Sequence, residues 1–322
     1  MAITLAEAKL ATVYAVELAV IDEFRKNSWL LDHMAFDDIV NPAGGGGVLT
    51  YGYRRLVTPA TAAFRELNSE YVDQHVTTER VSVDLGVLGG SFAVDRIIAG
   101  LGAAQAAAVQ LNMSQKIKST NALFNAAFIN GDSAAVTGSF DGIDKALTGS
   151  STEFTPGAGT DWAAVATREN GLAALRALRT AFNKLDGAPS AILTNEDGKA
   201  ALENIADYVS QLSELSAFGQ TVTAWRGVPI IDMGAKSGSN DPIIPTSEVA
   251  DSTEGTTSIY VVRLGLDGVH TVSTMGGRVI RAWAPDFSTA GAVKRGEVEM
   301  GPVAPVIRAT KAAAVIRGIK VA

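Results

Sequence analysis

The strongest constraint in this sequence is one long helical pattern. From Ala103 to Ile129, Val109, Met113, Ile117, Phe124 and Phe128 recur on one stripe, while Gln110, Ser114, Lys118 and Asn121 fall elsewhere around the wheel. A helix over those 27 residues extends roughly 40 Å at about 1.5 Å per residue. Asn130-Gly131-Asp132 ends it, with Gly near the C-cap. The motif Phe140-Asp141-Gly142-Ile143 follows, and then a Gly/Ser/Thr-rich stretch to Gly159.

Ahead of that helix the periodicity is that of strands. Leu49, Tyr51 and Tyr53 alternate with Thr50, Gly52 and Arg54; Val81, Val83 and Leu85 alternate with Ser82 and Asp84. These arms predict a long two-stranded excursion with one apolar face and no obvious local core. An isolated ribbon is marginal in water, so another surface is expected to cover it. Earlier still, Thr4 and Glu7 form a capping-box spacing that predicts a helix to about Lys26, and Asn41-Pro42 with Gly44 to Gly47 break regular structure.

Behind the long helix, Thr160 and Asp161 are expected to cap a second helix lined by Leu172, Leu175, Leu178, Phe182 and Leu185. Ala191 to Leu193 reads as a short buried strand. A third helix carries Leu202, Ile205, Val209 and Leu212. Strands are expected at Thr221–Trp225, Val228–Ile231, Ile259–Leu264 and His270–Thr274, and apolar alternation returns from Glu297 to Ala322. The pattern is that of an α+β chain without a repeat of the solenoid kind.

Composition narrows the function. Of 322 residues 47% are hydrophobic and only 19% charged, below the roughly 25% of an average soluble protein, so much of the surface is expected to be buried against something else. A net charge of −7 argues against a dedicated nucleic-acid reader. With no cysteine there is no disulfide framework, thiolate metal site or cysteine nucleophile. The first residues lack a basic region followed by an apolar run, and no stretch is apolar enough to span a bilayer, so a soluble product made inside the cell, away from membranes, is expected.

No catalytic constellation emerges. Gly89-Gly90-Ser91 lacks the spacing of a nucleophile elbow, and His33, His75 and His270 sit in unrelated segments, as ordinary structural or surface histidines do. Neither Lys118-Ser119 nor Lys236-Ser237 follows phosphate-loop glycines, and Gly44–Gly47 reads as a hinge. Asp132, Asp141 and Asp144 lack the ligand density of a calcium loop; capping and turn formation account for Asp132 and Asp141. No cofactor or metal is therefore expected. Arg54, Arg55, Arg65 and Arg80 cluster on the ribbon with Glu66, Glu70, Asp73 and Glu79 between them. A solvated hairpin fits that pattern. So does an intersubunit strap, in which Arg54, Arg55, Arg65, Glu66 and Arg80 are the candidate contacts.

The order of these parts resembles the major capsid protein of tailed bacteriophages, the Hong Kong 97-type fold. The resemblance rests on the arm, the long loop, the helix ending Ile129-Asn130-Gly131-Asp132, and Phe140-Asp141-Gly142-Ile143. It continues in Trp225-Arg226-Gly227-Val228-Pro229-Ile230-Ile231, in Ser258 to Gly265, and in Ala312 to Ile319. It implies an N-terminal arm over 1–43, an extended loop over 44–90 and a peripheral domain over 91–188 with Ala103–Ile129 as spine helix. An axial domain over 189–288 and a return to the peripheral domain over 289–322 complete it.

Functionally it implies a non-enzymatic subunit that assembles with itself into hexamers and pentamers of an icosahedral or prolate shell. The virion capsid, and the host cytoplasm during assembly, would be its location. Its implied partners are a portal, possible decoration proteins and non-specifically contacted double-stranded DNA. Because only about 40 residues precede the loop, it also implies a separate scaffolding protein or none. An encapsulin-type nanocompartment shell shares the fold and is the nearest alternative. An α+β metabolic enzyme and an exported surface-layer or adhesin protein are alternatives from other classes.

Some members of the resembled family join subunits by isopeptide bonds from a loop lysine. That chemistry needs a deprotonated amine, which an arginine cannot supply. Between Val48 and Leu88 there are four arginines and no lysine. Boiling assembled particles in detergent should therefore release a single band near the 33.4 kDa chain mass. A ladder of covalent oligomers, with a cross-linked peptide from this loop, would contradict it.

Overall fold

The computed structural model describes residues 29–40, 47–58, 60–95, 103–156, 161–163, 165, 167–209, 212–217, 220–250, 253–275 and 279–321. The helix expected before Lys26 and the break at residues 41–46 lie outside them. A short helix, Trp29–His33, leads to β1 (Phe36–Asp37), then to β2 (Thr50–Thr58) and β3 (Thr77–Asp84), which pair antiparallel as a separate ribbon. β4 (Gly86–Asp95) precedes the long helix Ala103–Asn130 and the one-turn helix Ile143–Leu147. β5 (Glu153–Phe154), the helix Arg168–Lys184, β6 (Ala191–Thr194) and the helix Glu196–Val209 follow. The remaining strands are β7 (Leu212–Ala217), β8 (Gln220–Trp225), β9 (Val228–Asp232), β10 (Glu248–Ala250), β11 (Thr253–Val262), β12 (Val269–Ser273), β13 (Ile280–Trp283), β14 (Val293–Ile307) and β15 (Ala313–Lys320).

Two sheets organise these strands. An eight-stranded sheet runs β5-β15-β11-β6-β9-β8-β7 with β10 on β11, and a five-stranded sheet runs β1-β12-β14-β13 with β4 on the other side of β14. Alternation along the central strands sends side chains to opposite faces of the larger sheet. Leu193, Tyr260, Val262 and Val315 join the core shared with the long helix and the smaller sheet. Ile192, Ile259, Val261 and Ile316 face the Arg168–Lys184 and Glu196–Val209 helices. Covered on both faces, β6 is buried at all four residues, as the run Ala191–Leu193 anticipates.

The long helix buries Met113, Ile117, Phe124 and Phe128, the stripe read from its spacing. Its end explains the motif that follows. The Gly142 amide donates to the Gly131 carbonyl at 2.8 Å, bringing the returning chain against the helix terminus. A Cβ on Gly131 would lie 2.4 Å from the carbonyl oxygens of Ala127 and Phe140, and one on Gly142 would lie 2.4 Å from that of Ile129, so only glycine fits at either position. Phe140 then packs edge-on to Phe124, with ring centroids 6.4 Å apart.

Two boundaries differ from the sequence reading. The second helix starts at Arg168, capped by Thr167, whose hydroxyl accepts from the Asn170 amide; Thr160 lies outside the described residues, and Asp161 bridges to Lys320 instead. The third helix stops at Val209, and Leu212 opens β7, paired with Trp225. Cross-strand pairing there outweighs the helical spacing of Leu212.

A polar hub ties the last strand to the middle of the chain. Arg317 on β15 contacts Asp144 at 2.8 Å and Glu153, and donates to the Thr148 hydroxyl at 3.1 Å. The Tyr260 hydroxyl donates to Asp144 at 2.7 Å. Burial works against the charge on Arg317, but Glu153 and Asp144 outweigh it and hold its pKa above the ordinary arginine value. Burial, with Asp144 beside it, pushes the Tyr260 hydroxyl well above the usual phenol range, so it remains a donor. Arg317→Met should lower the stability of the chain by about 2–4 kcal/mol in urea titration, because it strands two partly buried carboxylates. A change within about 0.5 kcal/mol would reduce the hub to a surface ion pair.

Candidate interaction surface

The ribbon is built in two unlike halves. At its base Tyr51 and Tyr53 are buried, their rings 5.7 Å apart, and pack with Val40, Val272 and Val306. The Tyr53 hydroxyl and the Arg55 guanidinium both donate to the Ile307 carbonyl at 2.8 Å, and Arg55 also donates to the Tyr53 hydroxyl at 3.1 Å. Burial raises the Tyr53 pKa against the opposing pull of Arg55, so the hydroxyl keeps its proton. The expectation that the ribbon has no local core is therefore corrected at the base, where Val40 together with Val272 and Val306, more than two hundred positions away in sequence, covers one face.

Beyond the base that cover ends. Leu56, Val57 and Val76 are exposed, and the loop over 60–76 carries Phe64 fully exposed and Leu67 and Val72 nearly so. The loop is nonetheless shaped by its own polar contacts. Gln74 accepts from the amide and hydroxyl of Thr61, Arg65 donates to the Ser69 carbonyl at 2.9 Å, and its guanidinium lies over the Tyr71 ring at 5.6 Å. A pre-shaped loop with bare apolar side chains is the signature of a contact surface.

The structure separates the candidate residues into three places. Arg54 and Arg80 stand directly opposite each other on the outward face, and Arg80 lies across Gly52, 3.4 Å from where a Cβ would sit. Arg55 turns inward to Ile307. Arg65 and Glu66 lie on the loop beyond the Thr58–Thr77 pair. Among the described residues Arg54, Arg80 and the Glu66 carboxylate make no ion pair, and opposed like charges weaken a ribbon that lacks a counter-charge.

A groove of about 430 Å³ separates the ribbon base from the helix-end motif, walled by Tyr53, Val81, Phe140, Lys145 and Ile307. On its rim Lys145 bridges Asp132 at 2.6 Å and Asp141 at 2.9 Å. Lys145 holds the Asp132 carboxyl below its usual range. Burial resists ionisation of Asp141, but the Ser133 amide and Lys145 outweigh it and lower its pKa as well. Asp132 also accepts from the Ala134 amide and Asp141 from the Ser133 amide, the turn-forming roles expected of them. A cation is thus already supplied by Lys145. Among the described residues no group of three His, Cys, Asp or Glu could hold a metal.

The histidines are likewise dispersed. His33 stacks on Trp29, His75 sits on the exposed loop, and His270 is buried in β12, where burial lowers its pKa and keeps it neutral. No helix among the described residues is long and apolar enough to cross a membrane.

No protein-family model and no curated protein matches the sequence. Solved structures do. The holo-SrpI encapsulin complex of Synechococcus elongatus matches at 16% identity and TM-score 0.55, over 92% of this chain and 90% of that one. The capsid of a native GTA particle matches at 13% identity and TM-score 0.58, over 90% and 89%. The capsid of Myoviridae phage XM1 matches at 12% identity and TM-score 0.55, over 91% and 92%. The chain has the Hong Kong 97-type fold of shell-forming proteins.

Anchoring at Ile307 is open to a graded test. Tyr53→Phe should cost about 1 kcal/mol of subunit stability, since Arg55 still satisfies the carbonyl, whereas Tyr53→Ala should cost about 3–5 kcal/mol through the cavity it leaves. Equal and negligible effects in urea titration would show that the ribbon base is not part of the chain's own core.

Proposed function

We propose that the chain is the major capsid protein of a tailed phage or prophage, assembling with itself into a closed icosahedral or prolate shell. The observation that carries this reading is the two-way likeness to shell subunits over about nine-tenths of both chains. The half-covered ribbon supports it, because a bare apolar loop and uncompensated arginines are what a contact with a neighbour would cover. In this reading residues 44–90 are the extended loop, 91–188 the peripheral domain and 189–288 the axial domain. The arm over 1–43 precedes them, and 289–322 returns to the peripheral domain. A separate scaffolding protein, a portal and decoration proteins are the proposed partners, together with packaged double-stranded DNA contacted non-specifically; the net charge of −7 argues against a dedicated reader of it.

A second reading, an encapsulin-type nanocompartment, is favoured by the match to the encapsulin complex at 16% identity over 92% of the chain. The particle's contents separate the two: nucleic acid for a capsid, a cargo protein for a nanocompartment.

Expressed with its scaffold where one is needed, the chain should form closed particles or free hexamers and pentamers by electron microscopy. Replacing residues 60–76 with a short Gly/Ser bridge, which spares Tyr51 and Tyr53, should leave a folded subunit by circular dichroism that no longer closes shells. Sedimentation of the intact chain as a monomer under every assembly condition would contradict the proposal.

A further inference from the structure

β12 holds an ionisable side chain underneath the ribbon. His270 is fully buried, and among the described residues neither of its ring nitrogens makes a hydrogen bond of ordinary geometry. A buried polar group left in that state is rare in folded chains. The ring fills space as an apolar side chain would, yet it keeps one property an apolar side chain lacks. Once it meets water it takes up a proton near pH 6.5.

Register fixes the face on which it lies. His270 stands directly opposite Val306 on β14 and two residues from Val272, and Asp37 of β1 is the register partner of Val272. Opposed residues and alternate residues share a face. Val272 and Val306 pack with Val40, Tyr51 and Tyr53, so the face that carries His270 is the one closed by the ribbon base and by the chain just after β1.

The charged groups around the imidazole come from each neighbouring element. They are Asp37 on β1, Asp267 in the turn before β12 and Arg308 just after β14. Asp267 is already paired with Arg263 at 2.5 Å. The ribbon's inward-turned charge, Arg55, is held at the Ile307 carbonyl, next in sequence to Val306. Burial disfavours the charged ring most strongly and Arg308 adds to it; Asp37, the Gly268 carbonyl and Asp267 pull the other way without prevailing, so the pKa lies below the ordinary histidine value.

We infer that His270 is a proton-operated latch for the ribbon base. Neutral, it lets Val40, Tyr51 and Tyr53 close over β12 and β14; protonated, it drives that cover open so that the ring reaches water. The closed form binds the proton less readily than the open form. Closure is therefore undisturbed above about pH 6.5 and weakens as the pH falls below it, by about tenfold per unit until the closed form itself is protonated. Ordinary carboxylates titrate near pH 4 and contribute little in this window. The device lies within one chain and does not depend on the shell reading.

Because the sequence has no cysteine, a single introduced thiol reports the opening. Val40→Cys should be labelled by dithiodipyridine about tenfold faster at pH 5.5 than at pH 7.5, with each rate normalised to that of Leu67→Cys on the exposed loop. With His270→Leu added the normalised rate should be the same at both pH values, and His270→Gln serves the same purpose where the leucine chain does not fold. Ala201→Cys, in the core on the other face of the larger sheet, should stay slow at both, as a local opening requires. No acceleration with His270 in place, an equal acceleration in the His270 variants, or labelling of Ala201→Cys that rises in step with Val40→Cys overturns the latch.

Discussion

A two-stranded ribbon has two faces, and among the described residues the rest of the chain covers only the base of one of them. That limit shapes the rest of the molecule. The Ile307 carbonyl takes two hydrogen bonds from Tyr53 and Arg55, which fixes where the ribbon leaves the body. Past that point the strands carry Leu56, Val57 and Val76 into solvent, and the loop adds Phe64, Leu67 and Val72. Exposed apolar area of this kind persists in a monomer only at a cost, and burying it returns about 25 cal/mol per Å². No described residue covers that area, and in the proposed reading a second copy of the chain does.

The body is correspondingly rigid. Its larger sheet is packed on both faces, by the long helix and the smaller sheet on one side and by two amphipathic helices on the other. Arg317 joins β15 to the Asp144 turn and to β5, so the end of the chain is held to its middle. The ribbon base is tied to this platform through Ile307 and the Val40, Val272 and Val306 cluster.

Much of this architecture is legible in local periodicity. The stripe of the long helix, the alternating arms of the ribbon and the buried run at Ala191–Leu193 each depend on near neighbours, and each forms as its pattern indicates. The glycines at 131 and 142 are readable as punctuation, though their reason, a close approach of the returning chain to the helix end, is tertiary. What escapes local reading depends on partners remote in sequence. Tyr53 meets Ile307, Arg317 meets Asp144, and Leu212 leaves its helical spacing to pair with Trp225. Among the candidate contacts, spacing alone could not tell that Arg55 turns inward while Arg54 and Arg80 oppose each other outward. Alternation defines two faces but not which one the subunit keeps.

The central claim is that the free face and loop of the ribbon are covered only when copies of the chain associate. Hydrogen–deuterium exchange on assembled particles and on dissociated subunits tests it most directly. The account predicts that amides over 60–76 exchange freely in the subunit and become protected in the particle, while those of Tyr51 and Tyr53 at the base are protected in both. Equal exchange of the loop in the two states would contradict it.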